Sequence, residues 1–254
     1  MRLRAFVLLV AGLSLATGVF AQGAKPGDSG CILDNCADKK PMPAPATQPA
    51  APSADRPRPR GASVPGVFDF YVLSLSWSPG FCDTGGAQKH RPQCNAGSGL
   101  GFVVHGLWPQ YETGFPSDCG PAGRSPSRIA LEGAKGVYPD VNLARYEWRK
   151  HGTCSGKSPT DYFADVRRAR DAIEIPPPFR AASDRQTWTP IDIERAFIAA
   201  NPKLRPDMMG IACHSGVLEE VRICFSKDLR EFHTCPEVSR GSCRTRELRV
   251  PAPL

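Results

Sequence analysis

Apolar and polar positions along the chain change period several times, and each change marks an element. Residues 68–77 (FDFYVLSLSW) are β-branched and aromatic with partial alternation and break at Pro79-Gly80, predicting a strand followed by a turn. Leu100 to His105 predicts a second strand, ended by Gly106 and Pro109. From Asp140 the spacing becomes helical, with Asp140 placed to cap a helix through Lys150 that stops at Gly152. Ser158-Pro159 opens another helix, with Tyr162, Phe163, Val166, Ala169 and Ile173 on one stripe, and Pro176-Pro177-Pro178 ends it. Thr189-Pro190 with Asp192 opens a third, closed by Asn201-Pro202. Gly216 to Phe225 returns to a strand pattern. Strands first, helices between and strands again predict an α+β fold without regular βαβ units, and no internal repeat is present.

The first 66 residues carry neither period. Arg2 and Arg4, the apolar run Ala5 to Leu15 and the small-residue site Val19-Phe20-Ala21 predict a signal peptide over 1–21, cleaved after Ala21. Cys31 lies ten residues past Ala21, too far for a lipid-attachment site, so no membrane anchor is expected. Residues 22–66 include eight prolines between Pro41 and Pro65, which predicts an extended, disordered proline/alanine-rich linker. Cys31 and Cys36 stand inside it, and the sequence leaves their pairing open. Residues 67–254 are then the folded domain.

Composition sharpens this picture in two respects. Ten cysteines, an even count, suit an oxidising compartment, so the expected location is periplasmic or secreted. Past the N-terminus there is no run of 18 apolar residues, so no membrane span is expected in the mature chain. The net charge of +7 falls to +5 when Arg2 and Arg4 are removed, a weak bias toward polyanions.

Five histidines are few, and two keep unusual company. His105 ends a predicted strand and runs into Gly106-Leu107-Trp108-Pro109, which places an imidazole and an indole at a strand edge. Glu147, Lys150 and His151 occupy i, i+3 and i+4, so a carboxylate, an ammonium and an imidazole share one helix face. Such a stripe is ordinarily a solvated face, but Trp148 and Cys154 tie this helix end down. Two histidines on different elements, with an acid and a lysine, form a general acid/base pair and an electrostatic clamp suited to phosphoryl transfer without metal. A Gly-x-Ser-x-Gly elbow, a His-Glu-x-x-His pair and a Walker loop are all missing. The cysteines lack Cys-x-x-Cys spacing, so neither a zinc site nor any other cofactor is expected.

Three segments carry a resemblance. FDFYVLSLSWSPGFC (68–82), HGLWPQ (105–110) and YEWRKHGTC (146–154) resemble, in order and spacing, the marker segments of the ribonuclease T2 family. The resemblance covers residues 67 to about 243. It implies an α+β fold built on an antiparallel sheet with several helices and stabilised by disulfides. It implies His105 as general acid, His151 as general base, and Glu147 and Lys150 as stabilisers of the transition state. Trp108 would stack on a base, with Gln110 and Tyr146 as further substrate contacts. Many members carry a third histidine where this chain has Tyr146, whose phenol can hydrogen-bond a phosphate but cannot become cationic. Gln110 replaces an acidic residue that reads adenine in some members, so base preference does not carry over. The implied disulfides are Cys82 with Cys94, Cys119 with Cys154, Cys213 with Cys243 and Cys224 with Cys235.

By that resemblance the chain is an exported, monomeric endoribonuclease that cleaves single-stranded RNA through a 2′,3′-cyclic phosphate, without metal or cofactor. Two other classes are weighed beside it. One is a secreted RNA-binding or interaction protein that keeps the fold without turnover, against which stand both histidines, Glu147 and Lys150. The other is an envelope-interaction module that uses residues 22–66.

Overall fold

A computed structural model describes residues 63–89, 91–120, 125–180 and 182–254. The expected signal peptide, most of the proline-rich stretch, Cys31 and Cys36 lie outside them. In chain order the described elements are β1 (Phe70–Trp77), α1 (Ser78–Phe81), β2 (Phe102–Gln110), α2 (Arg128–Ala134), α3 (Val141–Lys150) and α4 (Pro159–Asp171). They continue with α5 (Pro177–Arg180), β3 (Gln186–Trp188), α6 (Pro190–Ala200), β4 (Met209–His214), β5 (Val217–Ser226), α7 (Pro236–Arg240) and β6 (Leu248–Val250). Among the described residues no helix is long and apolar enough to cross a membrane.

The three long helices start where the sequence places their caps. The Asp140 carboxylate accepts from the backbone N–H groups of Asn142 and Leu143, and the Ser158 and Thr189 hydroxyls accept from those of Asp161 and Asp192. Each cap satisfies donors that the first helical turn cannot, a contribution of about 1 kcal/mol. The stripe Tyr162, Phe163, Val166, Ala169 and Ile173 is buried throughout.

One sheet organises the molecule, in the order β2-β1-β5-β6-β3 with β4 also on β5. All pairings are antiparallel except the short β5–β6 contact. On one face Tyr71, Leu73, Leu75 and Trp77 join Val221, Ile223 and the apolar residues of α2, α3, α4 and α6 in the main core. On the other, Phe70 and Val72 form a small cluster with Cys224, Cys235 and the partly buried Trp108, after which β1 presents Ser74 and Ser76. The partial alternation of β1 thus has a cause: both faces are covered at one end, and the polar positions mark where the second face turns into a site.

Two strand boundaries differ from expectation. β2 does not end at Gly106 and Pro109 but runs through both to Gln110, and it begins only at Phe102. It is an edge strand, where a proline that cannot donate costs no ladder bond. After β1 the chain enters helix α1 instead of a turn, with Pro79 in its first turn, where proline is tolerated. A side chain on Gly80 would collide with the Leu218 carbonyl, so the segment packs directly on β5. Residues 64–66, placed in the linker by composition, already touch the fold: Gly66 N–H donates to the Cys154 carbonyl, and the Lys227 ammonium donates to the Gly66 carbonyl. Disulfides join Cys82 to Cys94, Cys119 to Cys154, Cys213 to Cys243 and Cys224 to Cys235.

Candidate active site

The pairing of β1 with β2 slips by one residue at a single place. Ser74 faces Gly106 and Leu75 faces Val104, so His105 has no partner across the ladder and is the extra residue of a bulge. A bulge re-aims its side chain, and here the imidazole meets β5. Its Nδ1 lies 2.5 Å from Glu220 Oε1. Glu220 Oε2 in turn accepts from Arg222 Nε at 2.9 Å and lies 2.7 Å from Arg222 Nη2. Farther along β2, the Tyr162 hydroxyl donates to the Leu107 carbonyl at 2.9 Å, pinning the strand between His105 and Trp108.

α3 supplies the opposite wall. Glu147, 1 % exposed, accepts the indole N–H of Trp108 on Oε2 at 2.7 Å and brings Oε1 to 3.6 Å from His105 Nε2. Gly106 has to be glycine, since a Cβ there would strike both the Glu147 carboxylate and the Trp108 indole. His151 caps the C-terminus of α3, its N–H bonded to the Glu147 carbonyl at 2.9 Å. The Trp108 ring stands between the two imidazoles, 5.2 Å from His105 edge-on and 5.4 Å from His151. The Arg222 guanidinium covers it at 5.5 Å.

The two histidines are driven in opposite directions. Burial opposes a charge on His105, but the hydrogen bond and charge of Glu220, with the charge of Glu147, outweigh it and raise its pKa above the ordinary histidine value. Glu220 answers in kind: burial alone would raise it, yet His105 and Arg222 pull it down to about 2. His151 is half-buried, with no hydrogen-bond partner for Nδ1 among the described residues. Burial, then the charges of His105 and Lys150, lower it to about 4. Glu147 is raised to about 7 by burial, only partly offset by His105 and by the Trp108 hydrogen bond.

The helix-face triad read from the sequence therefore splits three ways. Glu147 points inward, His151 lies against Trp108, and Lys150 reaches out to Asp118 Oδ2 at 2.5 Å. The Asp118 N–H bonds back to the Lys150 carbonyl at 2.8 Å, and its φ of 54° lies in the left-handed region, which aspartate tolerates better than most residues. Tyr146, 48 % exposed, lines a cavity of about 340 Å³ together with His105, Glu220, Phe81, Lys89 and Arg91. Gln110 is elsewhere: it pairs with Phe70 at the far end of β2, and its amide donates to the Pro109 carbonyl at 3.0 Å. Among the described residues no group of three or more His, Cys, Asp or Glu side chains is arranged to hold a metal ion.

A family model described as the ribonuclease T2 family matches residues 68–235. The chain belongs to the ribonuclease T2 family. Membership makes it an endoribonuclease with the α+β fold of that family. It is 38 % identical to a ribonuclease of Aeromonas hydrophila over 68 % of this chain and 78 % of that one. It is 30 % identical to ribonuclease DdI of Dictyostelium discoideum over 72 % and 84 %. An RNase-related protein from Calystegia sepium matches the fold with a TM-score of 0.57 at 24 % identity, over 74 % of this chain and 98 % of that one.

Three neighbours of this T2 site are absent from its sequence motifs: Asp118, Glu220 and Arg222. Asp118 comes from a loop whose path toward α3 depends on the Cys119–Cys154 disulfide. Glu220 and Arg222 did leave a signal in VLEEVRICF (217–225). Glu220 and Arg222, at i and i+2, share one face of a strand in which Glu219 is the one other charge, and that face must meet other polar groups.

Proposed function

We propose that the protein cleaves single-stranded RNA by transphosphorylation, with His151 as general base and His105 as general acid. His151 takes the proton of the ribose 2′-hydroxyl as that oxygen attacks the adjacent phosphorus. His105 gives a proton from Nε2 to the departing 5′-oxygen, leaving a 2′,3′-cyclic phosphate. Water then opens the ring with the roles exchanged, and both histidines return to their starting states. The observation that carries this reading is the opposed tuning of two imidazoles on either side of Trp108, one holding its proton and the other kept neutral.

Glu147 and Lys150 act on the phosphoryl oxygens. A carboxyl raised to about 7 is in part protonated at neutral pH and can donate a hydrogen bond, while Lys150 contributes positive charge. Trp108 orients Glu147 through its indole N–H and offers its ring to a base. Tyr146 meets substrate in the cavity beside His105, and Gln110 contacts it beyond that cavity. The working state is a monomer, in the periplasm or secreted, reached through a signal peptide over residues 1–21.

Incubation of purified protein with single-stranded RNA in excess EDTA tests the mechanism. Undiminished cleavage with transient 2′,3′-cyclic ends is the expected result; loss of activity restored by zinc or magnesium would overturn it.

A further inference from the structure

The bulge gives His105 two carboxylate neighbours of different kinds. Glu147 Oε1, at 3.6 Å from Nε2, is too far to bind that nitrogen, so Nε2 remains available. Glu220 Oε1, at 2.5 Å from Nδ1, commits the other. Glu220 is itself held at both ends, one oxygen on the imidazole and the other on the fork of Arg222. All three groups reach the same face of the sheet from the two strands that flank β1: Arg222 stands across from Ser74, Glu220 from Ser76, and His105 is turned toward them by the register slip.

We infer that Glu220 is the positioning residue of His105: it accepts the Nδ1–H hydrogen bond, and Arg222 fixes the carboxylate, so that Nε2 is always the nitrogen offered to the reacting oxygen. The assignment rests on the acid role proposed for His105. It accounts for both half-reactions. In the first, the carboxylate steadies the imidazolium that must protonate the leaving oxygen. In the second, it fixes the neutral ring as the Nδ1–H tautomer, leaving the Nε2 lone pair to take a proton from water. The other charged and titratable groups around His105 cannot substitute. Among the described residues, Glu147 is engaged by Trp108, Arg222 and His151 do not accept from Nδ1, and Lys89, Arg91, Asp140, Tyr146 and Glu219 line the cavity without a hydrogen bond to the ring.

Glu220→Gln is the informative substitution, since it keeps size and an acceptor but removes the charge. In the full-length protein kcat/KM at pH 7 is expected to fall about 10–100-fold, with kcat bearing most of the loss. The alkaline limb of the pH profile should move to lower pH, while the acidic limb, set by His151, stays in place. Nitrogen-15 NMR of the free protein reads the same ring without reference to activity: His105 should show protonated Nδ1 across the titration in the parent, and a lower pKa in Glu220→Gln. Glu220→Asp, which retains the charge, should keep the raised His105 titration even where the rate falls. An unchanged His105 pKa and tautomer in Glu220→Gln would overturn the inference whatever the activity. Full activity in His105→Ala would instead strike the acid role beneath it.

Discussion

The two imidazoles that flank Trp108 make an informative comparison. His105 sits on a strand bulge against two carboxylates and is held toward the protonated form; His151 sits at a helix end, where burial and the charges of His105 and Lys150 outweigh that of Asp118, and is held neutral. A helix C-terminus by itself favours a cationic histidine. At His151 burial and the charges of His105 and Lys150 outweigh that preference. The difference teaches that two residues of one type are tuned apart by the partners each element delivers, and the proposed acid and base roles follow that tuning.

The largest expected effect removes the substrate group on which the comparison depends. An RNA strand with a single 2′-deoxy residue should be cut everywhere except after that residue, because no nucleophile remains for His151 to deprotonate. Binding of single-stranded DNA should persist and weaken as salt rises, since phosphates and bases are still present. Cleavage at the deoxy position, read by sequencing gel, would point to an external nucleophile.

Next come the histidines themselves. His105→Ala and His151→Ala should each lower turnover by about 10²–10⁴-fold. The double variant should lose much less than the product of the two, because the residues act as a unit. The pH profile of kcat/KM sharpens the assignment. The base must be neutral, so activity should rise through the His151 pKa of about 4; the acid must be protonated, so activity should fall only above the ordinary histidine value. An optimum confined to alkaline pH would contradict both directions.

A smaller effect is expected at Gly106, which separates the two walls of the site. Gly106→Ala forces the Glu147–Trp108 hydrogen bond apart and should cost about 1–3 kcal/mol of stability by thermal or denaturant unfolding, with a loss of turnover beyond it. The smallest effect belongs to the exposed pair outside the walls. Asp118→Asn should change stability by no more than about 1 kcal/mol, as surface ion pairs do.

How much of this was legible in the sequence depends on the range of the forces involved. The three long helices were, because Asp140, Ser158 and Thr189 cap within their own first turns and the stripe on α4 repeats locally. Two short pieces, β3 and β6, were not, since three residues carry no period. The continuation of β2 through Pro109 follows from its edge position, which only the sheet order reveals. His105, Glu147 and His151 stood out by type and spacing, yet what separates their behaviour is contributed from afar. Glu220 lies 115 residues from His105, and Trp108 lies 39 from the Glu147 it orients. Gln110 shows the reverse case: adjacent in sequence to the site motif, it is carried away from the cavity by the extended geometry of β2.

The most direct test of the central claim is an NMR titration of the histidines in the free protein, assigned through His105→Ala and His151→Ala. His105 is expected to titrate above the ordinary value of 6.5 and His151 near 4, so that between those points one ring is charged and the other neutral. Coincident titrations near 6.5, or the reverse order, would contradict the division of acid from base on which the account stands.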